Sequence, residues 1–142
     1  MSPIPQAVKN VIESGRLAHL VTLNSDGGPQ ITCVWVGIDG DEIVMGHLGA
    51  GQKIKNAIRD TRVSFSMETD SLNPMGLIEY LVVHGRARVT EGGAAELLQR
   101  LAHRYLGPDV KFPPMDNPPA GSILHITPER YGGIGPWAQS GG

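Results

Sequence analysis

A mainly β, α+β fold, in the form of a six-stranded antiparallel β-barrel with short flanking helices, is predicted by three features of the chain. Runs rich in β-branched residues recur and are punctuated by glycine turns, apolar residues take helical spacing in only three short stretches, and one of these stretches interrupts the strands after the third.

In chain order, Ile4, Ala7, Val8, Val11 and Ile12 repeat at helical spacing, with Ser2 and Pro3 suited to a helix start and Gly15 to its end. "RLAHLVTLN" and "PQITCVWVGI" read as a hairpin across "SDGG". "DGD" at Asp39–Asp41 turns the chain into "EIVMGHL", so the first three strands are expected to form an antiparallel meander. "GQKIKNAIRD" follows as a short helix whose apolar stripe is Ile54, Ala57 and Ile58, with Lys55, Asn56 and Arg59 away from it. "RVSFSMET" resumes as a strand, "SLNPMG" has loop composition, and "YLVVHGRARVTE" is the longest strand, Gly85 marking a bulge or a close approach. Ala94, Leu97, Leu98, Leu101, Ala102 and Tyr105 define an amphipathic helix ended by Gly107-Pro108. "KFPPMDNPPAG" is too proline-rich for regular structure, and "SILHITPERYGGIG" supplies the last strand.

The 142 residues suit one domain, residues 1–142, without internal repeats. A net charge of -2 gives no overall pull towards nucleic acid or anionic membrane, so any anion site has to be local; four of the 12 basic residues, Lys53, Lys55, Arg59 and Arg62, fall within ten positions. The single cysteine, Cys33, excludes an intramolecular disulfide and reads as a small core residue. The first residues lack a signal-peptide pattern and no stretch reaches membrane-spanning length, which makes a cytoplasmic protein without membrane or nucleic-acid partners the expectation.

Gly46 breaks a good strand where another backbone or a flat ligand approaches, and Gly49 and Gly51 leave the next turn free to expose amide N–H groups. The helix from Gln52 adds first-turn amides and a positive dipole end, and Lys53 adds a point charge, a combination that suits phosphate. A tight loop followed by a soluble amphipathic helix would carry the same spacing. His19, His47, His84, His103 and His125 show no close ligand spacing, so no metal site is expected. No GxSxG, Walker glycine loop or strand-linked GxGxxG is present, and no catalytic acid, base or nucleophile is assigned; an enzyme of this sequence would rely on a cofactor.

"LVTLNSDGGPQITCVWV", then "VMGHLGAGQKIKNAIRD" and "TRVSFS", resemble the flavin-reductase-like split β-barrel superfamily related to pyridoxamine 5'-phosphate oxidase, over most of the chain. Lys53, Asn56, Asp60, Arg62 and Val63, with the late "PERYGGIGPW", resemble more narrowly the actinobacterial deazaflavin-dependent branch, which uses coenzyme F420. The resemblance implies a homodimer with a flat cofactor in a groove at the subunit interface. Lys53 stands at the position of the phosphate-binding lysine, beside Lys55 and Asn56. Met45, Gly46, His47 and Leu48 run along the ring and its chain, Gln30, Ile31 and Thr32 border it, and Trp137 reaches it from the partner subunit. Flavin-using relatives carry an arginine or serine just before the lysine, where this chain has Gly51 and Gln52. Ile134-Gly135-Pro136-Trp137 replaces the late arginine motif of the pyridoxamine oxidases, which counts against vitamin B6 oxidation. The implied activity is hydride transfer from reduced F420 to an unsaturated small-molecule substrate. The alternatives are an FMN-dependent enzyme of the same fold and a non-catalytic binder of flavin, deazaflavin or haem. The substrate is expected to meet loops including "DSLNPMG" and "KFPPMDNPPAG".

Overall fold

The computed structural model describes residues 3–49 and 51–138. Its elements, in order, are α1 (Gln6–Ile12), β1 (Ala18–Leu23), β2 (Pro29–Val34), β3 (Gly37–Asp39), β4 (Glu42–His47), α2 (Gln52–Arg59), β5 (Arg62–Leu72), β6 (Ile78–Glu91), α3 (Ala94–Tyr105) and β7 (Ser122–Ile134). The fold is mostly β, as expected. The strands form one antiparallel sheet in the order β2-β1-β5-β6-β7-β4-β3, curled into a split barrel that does not close.

Seven strands appear where six are expected, because "PQITCVWVGI" is not one strand. It pairs with β1 as far as Val34, passes through Trp35 and Val36, and pairs with β4 from Gly37. The expected meander is corrected accordingly: β2 and β3 occupy opposite edges of the sheet, and the two residues between them bridge the split. Val34 and Val36 are both buried, so the apolar alternation continues across the break and conceals it in the sequence.

Phe65, Leu20, Met67, Leu81, Leu124 and Ile126 fill the barrel, and Val8 and Ile12 of α1 plug it, each contributing about 1.5–3 kcal/mol of burial. The helix begins after Pro5, which fits proline's preset φ at a helix entrance; Ser2 lies outside the described residues. On β4, Ile43 and Met45 face this core while Val44 packs with Leu97 and Leu101 beneath α3. Both faces of β4 are therefore covered, which accounts for the unbroken apolar run "IVM". "SLNPMG" is a tight turn between long strands: the Asn73 N–H donates to Leu77 O at 2.8 Å, and Asn73 Oδ1 accepts from Met75 N and Leu77 N. "KFPPMDNPPAG" forms neither helix nor strand.

Gly85 sits at a shift in the β6–β7 register, as its place in the longest strand predicts. A Cβ there would collide with Thr127 O and lie 2.9 Å from Ile126 Cγ2. Gly85→Ala should therefore destabilise the protein by about 1–3 kcal/mol through overpacking, measured as a lower urea midpoint with an unchanged m-value.

Candidate active site

A cavity of about 430 Å³ opens between the end of β4, the start of α2, the end of β2 and α3. His47 and Lys53, with the backbone of Gly49 and Gly51, supply polar surface to its lining, and Leu17, Trp35, Leu98 and Phe112 supply apolar surface.

Lys53 lies in the first turn of α2. Among the described residues no side chain caps its N-terminus; the Ile54 and Lys55 N–H groups turn back to Gly51 O, which leaves the Gln52 and Lys53 amides at the positive end of the helix dipole. Its docking departs from the expected stripe. Ile58 is 66% exposed, whereas Asn56 is fully buried. The Asn56 amide donates to Thr22 Oγ1 (3.1 Å) and Asn24 Oδ1 (2.9 Å) and accepts from Gln52 Nε2 (2.7 Å) and Arg59 Nη2 (3.0 Å). All four of its hydrogen-bonding positions are used, which offsets the cost of burying an amide and ties α2 to the end of β1.

That anchorage turns Lys53 towards the cavity. The side chain is half-buried, and desolvation lowers its pKa. His47, on β4 beside it, is held neutral, its pKa pushed down to about 3 by burial first and by the Lys53 charge second. Two buried polar atoms have no hydrogen-bond partner among the described residues: His47 Nε2 on the cavity wall, and Thr32 Oγ1 on β2, next to the lining residue Cys33. The other cations of the cluster have different partners. Arg59 donates to Leu23 O and to Asn56, and Arg62 makes a bidentate pair with Asp60 at 2.7 and 3.0 Å. Lys55 is exposed.

The predicted site residues thus separate. Gly46, His47, Leu48 and Lys53 meet at the cavity. The close neighbour of Gly46 is α3, since a Cβ would lie 3.1 Å from Leu98 Cγ and 3.3 Å from Ala94 O. Met45 is fully buried in the core, and Asn56 acts behind the wall. Gln30, Ile31 and Thr32 lie just before the stretch of β2 that lines the cavity, Cys33 and Val34, and Ile31 is 64% exposed. Trp137 is only 8% exposed; its indole N–H donates to Gly132 O (3.0 Å) and approaches Tyr80 O (3.3 Å), so the ring packs within its own chain and away from this cavity.

Sequence reasoning missed Leu17, Trp35, Leu98 and Phe112, which converge from four separate segments. It also placed Cys33 in the core, where the structure has it exposed. "DSLNPMG" contributes nothing to the cavity wall, while "KFPPMDNPPAG" contributes Phe112. Among the described residues no cluster of three His, Cys, Asp or Glu side chains has metal-binding geometry, and no helix is long and apolar enough to cross a membrane.

A family model described as pyridoxamine 5'-phosphate oxidase matches residues 4–135. The chain belongs to this family. Within the pyridoxamine 5'-phosphate oxidase fold, it is similar to a solved F420 reductase at 25% identity and a TM-score of 0.69, covering 91% of this chain and 98% of that one. It is also similar to a conserved hypothetical protein from Mycobacterium tuberculosis (24% identity, TM-score 0.68, 92% and 84% covered). HupZ from Group A Streptococcus is a third structural neighbour (20% identity, TM-score 0.65, 96% and 98% covered). The last two establish the shared fold. No curated protein matches the chain.

The buried neutral His47 has a measurable consequence. In the unfolded chain it titrates at the ordinary histidine value of 6.5, and burial brings this down to about 3 in the folded state. As pH falls below 6.5 the unfolded chain takes up a proton that the native state refuses, so stability is lost towards pH 3, by up to ~1.4 kcal/mol per pH unit. Urea titrations at pH 7 and pH 5 should show a smaller loss for His47→Leu than for the wild type.

Proposed function

We propose that this chain is an oxidoreductase that uses reduced coenzyme F420 and an unsaturated small-molecule substrate, acting as a homodimer whose subunit interface completes the site. The observation that carries this reading is the half-buried Lys53 at the uncapped N-terminus of α2, on the wall of a cavity whose other polar side chain is a neutral histidine. A desolvated ammonium beside free helix amides is matched by a phosphate, which restores the lost solvation. The donor set therefore fits a phosphorylated cofactor, and the similarity to an F420 reductase supports the deazaflavin.

When bound, F420 supplies the hydride. The protein's part is to hold and shield: Lys53 and the α2 amides take the phosphate, Gly46–Leu48 give a flat backbone wall, and Leu98 and Trp35 exclude water from the reacting faces. Neutral His47 brings no second positive charge against Lys53 and leaves an imidazole nitrogen available for hydrogen bonding.

An FMN-dependent enzyme is the second reading, favoured by one observation. Arg59 and Arg62 are engaged within the chain, which leaves Lys55 as the cation of the cluster free to meet an anionic tail beyond the phosphate. A fluorescence titration with F420, a tail-free analogue and FMN distinguishes the two. F420 is expected to bind best, with a tail advantage that shrinks with salt because exposed charges are screened beyond about 8 Å; tighter binding of FMN would favour the second reading. Lys53→Ala should weaken F420 by roughly 1.5–3 kcal/mol, or about 10- to 150-fold in Kd. Wild-type affinity in that variant would remove Lys53 from the site.

The homodimer is supported by large apolar side chains left exposed on the single chain, among them Ile31, Ile58, Leu72 and Ile78. Sedimentation equilibrium should give twice the mass of one chain. A monomer at cofactor-binding concentrations would rule out an interfacial site.

A further inference from the structure

A recess on the outer face of the sheet gathers three arginines from β5, β6 and β7, and it shares no residue with the cavity at Lys53. Along β5 and β6 the buried Val63, Phe65, Leu81 and Val83 alternate with Ser64 and His84, so the latter two point away from the core. The strand register sets Arg62 opposite Arg86 and His84 opposite Arg130. Two like charges directly across a strand pair cost stability, and Arg62 and Arg86 are exposed, so the core does not require them. At Gly85 the β6–β7 pairing passes from Arg130–His84 to Pro128–Gly85. Glu129 is therefore the extra residue of a bulge, and both Glu129 and Arg130 line the recess.

The recess has a volume of about 310 Å³, at the small end of ligand pockets. Its half-buried floor is Ser64 and His84, whose Oγ and Nδ1 share a hydrogen bond at 2.7 Å. Burial first, and the Arg130 charge second, lower the His84 pKa and favour the neutral ring. Whichever member of the pair donates, one O–H or ring N–H is left over for a ligand. Two carboxylates answer the three guanidinium groups. Asp60 is taken up by its bidentate pair with Arg62, whereas Glu129 stands 3.7 Å from Arg86 Nε, beyond hydrogen-bonding distance. The Arg130 side chain forms no ion pair or hydrogen bond among the described residues. A planar carboxylate fills one guanidinium fork, while a tetrahedral phosphate turns oxygens towards forks arriving from different strands and keeps another for a donor beneath it. We infer that Arg86, Arg130, His84 and Ser64 form a second anion site, which takes the phosphate group of a small phosphorylated compound. This site stands independently of the F420 reading.

The test follows the His84 ring signals by NMR in the full chain, assigned by their loss in His84→Gln. The Lys53→Ala background keeps anions bound at the cavity from contributing. Inorganic phosphate and glycerol 3-phosphate are titrated separately at pH 7 and constant ionic strength, and each should shift the His84 signals saturably. Succinate, which offers carboxylates alone, should bind about tenfold more weakly. Arg130→Gln should weaken glycerol 3-phosphate about tenfold, and Arg130→Lys, which keeps the charge and loses the fork, should fall between it and the parent protein. Glu129→Gln should tighten it about threefold, because a carboxylate that competes for Arg86 is gone. Absence of a saturable His84 shift, or parental affinity in a folded Arg130→Gln protein, overturns the inference. Should Arg130→Gln fail to fold, Glu129→Gln decides, since unchanged affinity there overturns it equally. Succinate binding as tightly as phosphate overturns the assignment to phosphate, and a response to inorganic phosphate without one to glycerol 3-phosphate overturns the assignment to a phosphorylated compound. The F420 titration with wild-type protein reports on Lys53, so either site can fail while the other stands.

Discussion

The buried amide of Asn56 is the constraint from which the site follows. α2 is eight residues long, too short to be stable as an isolated helix, and its most apolar exposed position, Ile58, is turned away from the barrel. What fixes it is a polar junction in which one amide joins Thr22 and Asn24 at the end of β1 to Gln52 and Arg59 on its own helix. Because every donor and acceptor of that amide is used, the junction tolerates one orientation of α2, and with it one direction for Lys53 three residues earlier. The cost of partly desolvating the Lys53 ammonium is accepted because the anchor is rigid. A helix held by apolar contacts alone would roll to return the charge to water.

The other wall of the cavity follows from the double burial of β4. Ile43 and Met45 belong to the barrel interior and Val44 to the contact with α3, so the strand is locked between two layers and its end is delivered to one place. Gly46 lets α3 approach closely enough for Leu98 to reach the cavity. The bridge across the split, Trp35 and Val36, then serves twice: it joins the two sheet edges, and it carries the indole that α3 holds through Tyr105.

Much of this was legible in the sequence, for identifiable reasons. Strands announced themselves by β-branched runs between glycine turns, and Gly85 by its isolation within such a run, because those signals are local. The wall around Lys53 was legible for the same reason: Gly46, His47, Leu48 and Lys53 lie within eight consecutive positions. The break after Val34 was not, since apolar alternation persists while the pairing partner changes, and pairing is non-local. Asn56 was assigned to the solvent side of its helix because hydropathy cannot anticipate that Thr22 on β1 and Asn24 just beyond it wait more than thirty residues earlier. Leu17, Trp35, Leu98 and Phe112 share no spacing that a linear reading detects, although each is an ordinary apolar residue in its own segment.

Charge at the cavity is concentrated in one side chain. Four cations crowd the stretch from Lys53 to Arg62, yet Arg62 is spent on Asp60 and Arg59 on the backbone of Leu23 and on Asn56, so the cluster reduces at the cavity to Lys53. A lone, half-desolvated ammonium at a helix N-terminus is a demanding neighbour for anything but an anion. The central claim is that this polarity orients a phosphorylated cofactor, and a crystal structure of the full chain with F420 tests it most directly. The account predicts a phosphate oxygen within about 3 Å of Lys53 Nζ, at hydrogen-bonding distance. A phosphate bound elsewhere on the chain, with Lys53 left in water, would contradict it.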